Sequence, residues 1–320
     1  MIIQVLLLLA GLALIVFGAD WLVDGASAIA RKVGISEFVI GLTIVGFGTS
    51  CPELVVSLTG AIAGNADVSI GNVVGSNIFN TLLILGMTAL VMPIGITLDN
   101  KRRDIPVTLL VTFLLIALGL GKVLLGVSGT DGISRLEGVV FLILFASYLY
   151  MCFKFDKGTV DNDEEGRKIN SIWLAILLVA AGLSGLIFGG KLFVNSATAL
   201  AKMLGVSDKF IAITVLAGGT SLPELATCIV AAAKKKGQLA LGNILGSNVF
   251  NILLILGCSA VVTPLSFAGM DIVDMLVLFG SAALVWMSSY TFKKDRIDRY
   301  EGAIFLLCFI GYYIFLFSKL

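Results

Sequence analysis

Residues 46–54 read Gly-Phe-Gly-Thr-Ser-Cys-Pro-Glu-Leu, and residues 217–225 read Ala-Gly-Gly-Thr-Ser-Leu-Pro-Glu-Leu. Each stretch sets two hydroxyls, a proline and a carboxylate in the middle of an apolar run. A carboxylate near the centre of a bilayer costs about 2.5 kcal/mol or more to insert, so such a residue signals function. Here there are two, Glu53 and Glu224, at an offset of 171. The same offset relates Gly18 to Gly189, Gly34 to Gly205 and Pro93 to Pro264. Residues 71–86 and 242–257 agree at 12 of 16 positions without a gap. The chain is therefore a duplication built around a buried carboxylate.

The environment of that duplication is a membrane. Only 13% of residues are charged, against roughly a quarter in soluble domains, and mean hydropathy is +1.05. About 20 apolar residues cross a bilayer. By that measure ten segments are expected, at approximately 2–30, 36–60, 66–93, 105–125, 135–153, 170–204, 207–233, 238–264, 271–291 and 300–318. They are too long and too continuously apolar for the alternating strands of a barrel. The N-terminus has no basic stretch or cleavage site, and the first segment is read as a retained helix. The expected fold is an all-α polytopic membrane protein. Residues 1–155 form one five-helix repeat, 156–169 a solvated linker, and 170–320 the second repeat.

Basic residues orient the spans. With the N-terminus outside, sixteen Lys and Arg fall in the five inside loops and five fall outside. Both termini are then extracytoplasmic, in a cell (inner) membrane. Because five is odd, the halves enter the membrane from opposite sides. Inverted repeats with matching interrupted helices are a transporter signature, with the site near the midplane.

Composition also removes alternatives. Histidine is absent, which excludes His-ligated metal and haem sites. The five cysteines lack zinc-site spacing, and a disulfide framework is not expected. No basic-aromatic array points to nucleic acid. No cofactor is implied, and nothing sets the oligomeric state, for which a monomer suffices.

Proline lacks an N–H and frees a carbonyl four residues back, Gly48 for Pro52 and Gly219 for Pro223. Carbonyls of the unwound turn, such as those of Gly46 and Ala217, are candidates to face inward. Thr49 and Ser50 lie four and three residues before Glu53, as Thr220 and Ser221 do before Glu224, so each trio can share a helical face. A second stretch follows in each half, Gly-Asn-Val-Val-Gly-Ser-Asn-Ile-Phe-Asn at 71–80 and Gly-Asn-Ile-Leu-Gly-Ser-Asn-Val-Phe-Asn at 242–251. Asn72, Ser76 and Asn80 form one stripe, and Asn243, Ser247 and Asn251 its mate. Such stripes serve interhelical hydrogen bonding or ion ligation about equally well. Gly71, Gly75, Gly242 and Gly246 have the spacing of close helix contacts.

Carboxylates, hydroxyls and carbonyls are hard ligands suited to Na⁺, Ca²⁺ or Mg²⁺. One Ca²⁺ would neutralise both glutamates, and Na⁺ ions could occupy the same oxygens instead. Shared ligands couple the two ions, which favours exchange over a channel.

At these residues the chain resembles the sodium/calcium exchanger family of the calcium/cation antiporter superfamily, prokaryotic type. The marks are Gly-Thr-Ser-x-Pro-Glu followed by Gly-Asn-x-x-Gly-Ser-Asn-x-Phe-Asn, once per half. The resemblance implies Na⁺-driven Ca²⁺ antiport by alternating access, with the first and sixth helices sliding against the rest. It implies ligands from Glu53, Glu224, Thr49, Thr220, Ser50, Ser221, the carbonyls of Gly46 and Ala217, and Ser76, Ser247, Asn80 and Asn251. Some K⁺-dependent relatives carry Asp at the position of Asn251, so asparagine here lowers the case for K⁺ co-transport; with three Na⁺ for one Ca²⁺, as is typical of the family, exchange would be electrogenic. Rival readings are an H⁺/Ca²⁺ or other divalent cation antiporter, and an intramembrane acid/base enzyme. Asp20 and its mate Lys191 are either a pair across the pseudo-axis or two independently anchored charges.

Overall fold

The computed structural model describes residues 1–121, 132–156, 169–205, 217–267, 270–291 and 295–318. Most of the linker lies outside the described residues, as do eight of the orienting cations: Lys122, Lys157, Arg167, Lys168, Lys209, Lys293, Lys294 and Lys319. Helices dominate: α1 (Ile2–Val33); α2 (Glu37–Thr49) and α3 (Cys51–Ile62); α4 (Ala66–Val91); α5 (Ile105–Gly119); and α6 (Arg135–Lys154). Then come α7 (Ile172–Met203), α8 (Ala217–Gly219), α9 (Leu222–Ala233), α10 (Gly237–Val262), α11 (Ile272–Ser288) and α12 (Arg299–Ser318).

Among the described residues six helices are long and apolar enough to cross a membrane, and α2 with α3 forms a seventh, bent span. Ten segments were expected from hydropathy. The segments at 105–125, 207–233 and 271–291 hold shorter helices, and residues 206–216 lie outside the described part.

The bend between α2 and α3 is 49°. Its cause is local. Ser50 leaves the helical region at φ −83°, ψ 4°, and Pro52 occupies the first turn of α3, where its missing N–H costs nothing. The second half repeats this: Ser221 sits at φ −89°, ψ 6°, with Pro223 in the first turn of α9. A wide π-helical turn lies within α2 at Gly41–Val45. Others lie within α4 at Phe79–Ile84 and within α10 at Phe250–Leu256. Such turns concentrate at functional sites.

Four strands of two residues each among the described residues were not anticipated. β1 (Ile94–Gly95) pairs with β4 (Arg296–Ile297), and β2 (Gly132–Ile133) with β3 (Leu265–Ser266), both antiparallel. Each ladder ties a loop of one half to a loop of the other. Periods of two residues are too short to register in hydropathy.

The core is formed by α4 and α10, which are the most buried of the long helices. Gly242 of α10 lies so close to α2 that a Cβ there would strike the Phe38 carbonyl, and one on Gly246 would sit 2.6 Å from the Leu42 carbonyl. For Gly71 and Gly75 no described atom approaches within 4 Å. At the edge, α1 and α7 pack antiparallel, with Gly11 facing Gly189, Gly18 facing Gly182 and Gly25 facing Ala175. A Cβ on Gly18 would lie 2.8 Å from the Gly182 carbonyl, and one on Gly182 would lie 2.6 Å from the Leu22 nitrogen. Backbone cannot yield to such a contact.

Gly182→Val should therefore push α1 and α7 apart and destabilise the protein by about 1–3 kcal/mol, the usual range for overpacking. Gly190→Ala, which meets open space, should be neutral. Thermal unfolding in detergent, followed by size-exclusion chromatography, separates the two outcomes.

Candidate cation site

Pro52 and Pro223 start two helices whose first turns carry Glu53 and Glu224. Each carboxylate is 1% exposed. The serine before each proline lies outside helical geometry, and its side chain reaches across to the other half. Ser50 donates to Glu224 Oε1 at 3.0 Å, and Ser221 donates to Glu53 Oε1 at 3.1 Å. Ser76 Oγ lies 3.5 Å from Glu53 Oε1 and 3.4 Å from Ser221 Oγ. The two carboxylates are thus held by crossed bonds between the repeats. Neither forms an ion pair with a described Lys or Arg.

The helix packing also brings Asn80 and Asn251 together. Asn80 Nδ2 donates to Asn248 Oδ1 at 3.3 Å, and Asn251 Nδ2 donates to Asn77 Oδ1 at 2.9 Å. Asn77 Nδ2 is held by the Asn248 carbonyl at 3.1 Å, and Asn248 Nδ2 by Thr81 Oγ1 at 2.8 Å. Each bond engages one N–H of its amide. The amide oxygens of Asn80 and Asn251 remain without partners.

Ten buried side-chain polar atoms among the described residues have no hydrogen-bond partner. Six of them belong to the predicted site: Glu53 Oε2, Glu224 Oε2, Asn80 Oδ1, Asn251 Oδ1, Thr220 Oγ1 and Ser247 Oγ. A buried unsatisfied polar group costs about 1–3 kcal/mol, more if charged. Four of the six are pure acceptors when the glutamates are ionised, so they cannot satisfy one another. What fits them is a small hard cation of the kind that takes oxygen ligands, such as Na⁺, Ca²⁺ or Mg²⁺. Among the described residues no cluster of three or more His, Cys, Asp or Glu offers a different metal centre.

The remaining expected residues take less open positions. Thr49 Oγ1 lies 3.1 Å from the Val45 carbonyl and 3.2 Å from Asn243 Oδ1. The Gly46 carbonyl accepts from the Ser50 N–H at 3.1 Å and from Thr49 Oγ1 at 3.4 Å. Ala217 opens α8 directly after undescribed residues. Asn72 and Asn243 depart from the stripes. Asn72 Nδ2 donates to the Glu53 carbonyl at 3.1 Å and to Ser57 Oγ at 2.9 Å. Its mate Asn243 donates to Cys228 Sγ at 3.2 Å. Both asparagines brace the broken helices, which is the interhelical role. Asn77 and Asn248 were not singled out from the sequence, because the four-residue stripe steps over them. Their signal was present: each stands three residues before a candidate ligand, on the far side of that stripe.

The two flanks of the site differ. On one, a cavity of about 480 Å³ between α7, α3 and the α8–α9 break reaches Thr220, Pro52 and Pro223. On the other, the counterparts of its lining are packed: Ala19, Val23 and Thr227 are buried at 0–1% exposure. There Lys234, the C-cap of α9, grips α1 through Asp20 Oδ1 and Asp24 Oδ1, each at 2.6 Å. A pairing of Asp20 with Lys191 is thereby corrected. Asp20 is held by Lys234, and Lys191 lines the cavity instead. A sequence offset marks equivalence between repeats, not contact.

Asn248→Ala should free the Asn80 amide to rotate its donor toward the site. We expect cation-induced thermal stabilisation to require about tenfold more Ca²⁺, the lower end for loss of a ligand's supporting bond. Ser259→Ala, buried but away from the site, should leave that midpoint unchanged.

Comparison with known proteins places these features. The chain matches the sodium/calcium exchanger protein family over residues 3–154 and 174–318. It is 33% identical over 351 residues to the sodium/calcium exchanger MaX1 of Methanosarcina acetivorans, with 98% of each chain covered. It is 36% identical to the inner membrane protein YrbG of Escherichia coli, with 90% of each covered. Among solved structures, the sodium-calcium exchanger NCX_Mj soaked with 2.5 mM Na⁺ and 0.1 mM Ca²⁺ superposes with a TM-score of 0.82 at 34% identity, covering 97% of both chains. The same exchanger soaked without either ion gives 0.84 at 34% identity, covering 98% of this chain and 99% of that one.

Proposed function

We propose, for a chain that belongs to the sodium/calcium exchanger family, that it is an electrogenic, K⁺-independent Na⁺/Ca²⁺ antiporter working by alternating access. The observation that carries this reading is the pair of crossed Ser–Glu bonds with six unpartnered oxygens around them. Two carboxylates with no described basic partner need about two positive charges. One Ca²⁺ supplies them; three Na⁺ on the same oxygens leave one in excess. Because the ligands are shared, the ions compete, and each must leave before the other loads. One net charge then moves per cycle.

The site oxygens in this reading are those of Glu53, Glu224, Thr49, Thr220, Ser50, Ser221, Ser76, Ser247, Asn80 and Asn251, with the Gly46 and Ala217 carbonyls. The scaffold is ten spans in two inverted repeats of five, with both termini outside an inner membrane. Loop ladders support this topology: residues 94–95 meet 296–297 on the predicted inside, and 132–133 meet 265–266 on the predicted outside. The open cavity then faces outward, and the Asp20–Asp24–Lys234 contact closes the inside. An intramembrane acid/base enzyme fits poorly, because acid and base require unlike surroundings, whereas each glutamate here is held by the equivalent serine of the other half.

Protein reconstituted into Na⁺-loaded vesicles should accumulate ⁴⁵Ca²⁺ only with an outward Na⁺ gradient, and faster when valinomycin and K⁺ keep the interior from becoming negative, because each cycle carries one net positive charge out. Uptake driven equally by a pH gradient would replace Na⁺ with H⁺ as the coupling ion. Glu53→Gln and Glu224→Gln should each cut uptake by at least about a hundredfold, as expected when a desolvated charge is removed, without loss of folded protein. Retained exchange would remove that residue from the site.

A further inference from the structure

We propose that Lys191 is a specificity-determining residue of the open access route, where its charge holds back divalent cations more strongly than monovalent ones. The inference rests on the antiport reading. Lys191 lies on α7 and lines the 480 Å³ cavity together with Asn195, Asn72, Thr220 and Cys51. It is the one ionised side chain among the described lining residues. It has no ion pair or hydrogen bond among the described residues. It stands 12 positions before Met203 at the end of α7, about 18 Å along the helix at 1.5 Å per residue. The side chain is too short to bring its ammonium group to that end, so the charge stays beside the cavity.

The counterpart of this position in the first repeat has the opposite sign. Lys191 and Asn195 correspond to Asp20 and Asp24, which are neutralised by Lys234 on the packed flank. When that flank opens, the contact to α9 breaks and two carboxylates line the route. The repeats therefore give the two faces unlike potentials: basic where the cavity is open, acidic where it is closed. On its way to the two glutamates a cation in the open cavity meets a repulsive contribution from Lys191. Its local concentration falls by a Boltzmann factor for Na⁺ and by the square of that factor for Ca²⁺. The open face is thereby biased toward loading Na⁺ and toward releasing Ca²⁺, and the opposite face toward capturing Ca²⁺.

The charge series Lys191→Gln and Lys191→Glu tests this in two ways. A unit charge about 10 Å from the path in a partly solvated cavity changes local Na⁺ by about threefold, and so Ca²⁺ by about tenfold. In sided vesicles, Lys191→Gln should lower the half-saturating concentration at the open face by those two factors, and Lys191→Glu should lower both again. The opposite face should be unmoved. Cys51 gives a readout that needs no transport. With Cys258 and Cys308 replaced by serine, the ratio of its reaction rates with anionic and cationic methanethiosulfonates reports the cavity potential, and any change in thiol ionisation cancels in the ratio. That ratio should fall about tenfold in Lys191→Gln. An unchanged ratio, or equal shifts for Na⁺ and Ca²⁺, overturns the proposal. If the ratio falls but no Na⁺-dependent Ca²⁺ uptake exists in the unaltered protein, the antiport reading fails and the charge at the cavity stands.

Discussion

Two hydrogen bonds cross the centre of the molecule, Ser50 to Glu224 and Ser221 to Glu53, and the rest of the structure depends on them. They require both helix breaks at the same depth, because a serine can reach the opposite carboxylate only where its own backbone has left the helix. They also require the two breaks to face each other, which the repeat supplies. Removing one partner would leave a buried charge without its donor, at a cost of several kcal/mol. The bonds hold only one oxygen of each carboxylate. The other oxygen of each, like the amide oxygens of Asn80 and Asn251, is buried without a partner.

An amide network also crosses between the repeats. Asn77 and Asn248 accept from the side-chain amides of Asn251 and Asn80, and the oxygens of those two amides are left unpartnered. Around this core the helices α4 and α10 are buried and tightly fitted, while α1 and α7 meet along glycines with their backbones nearly touching. The carboxylates, by contrast, are tied across the repeats by Ser50 and Ser221. In the antiport reading proposed above, any movement of α1 away from the second repeat would break the ion contact from Lys234 to Asp20 and Asp24.

Much of this was legible in the sequence. Prolines following short hydroxyl residues in apolar runs located the breaks, and the offset of 171 paired them. Serines and glutamates at matching positions predicted a shared centre. Other features were hidden for physical reasons. Whether an asparagine serves a ligand or braces a helix depends on which atoms face it, so Asn72 and Asn80 looked alike in a stripe and play different parts. Asn77 and Asn248 act through the second repeat, which no local spacing encodes. Lys191 and Asp20 matched by offset, yet equivalence under pseudo-symmetry separates residues to opposite flanks. The loop ladders at residues 94–95 and 132–133 are main-chain pairings, almost independent of side-chain pattern.

If one set of oxygens serves both cations, binding must be mutually exclusive. Calorimetric titration of the purified protein with Ca²⁺ at stepped Na⁺ concentrations tests this most directly. The apparent Kd for Ca²⁺ should rise with more than the first power of Na⁺ concentration, and Glu53→Gln should abolish the Ca²⁺ heat and the Na⁺ dependence together. A Kd for Ca²⁺ that does not change with Na⁺ would contradict a shared site.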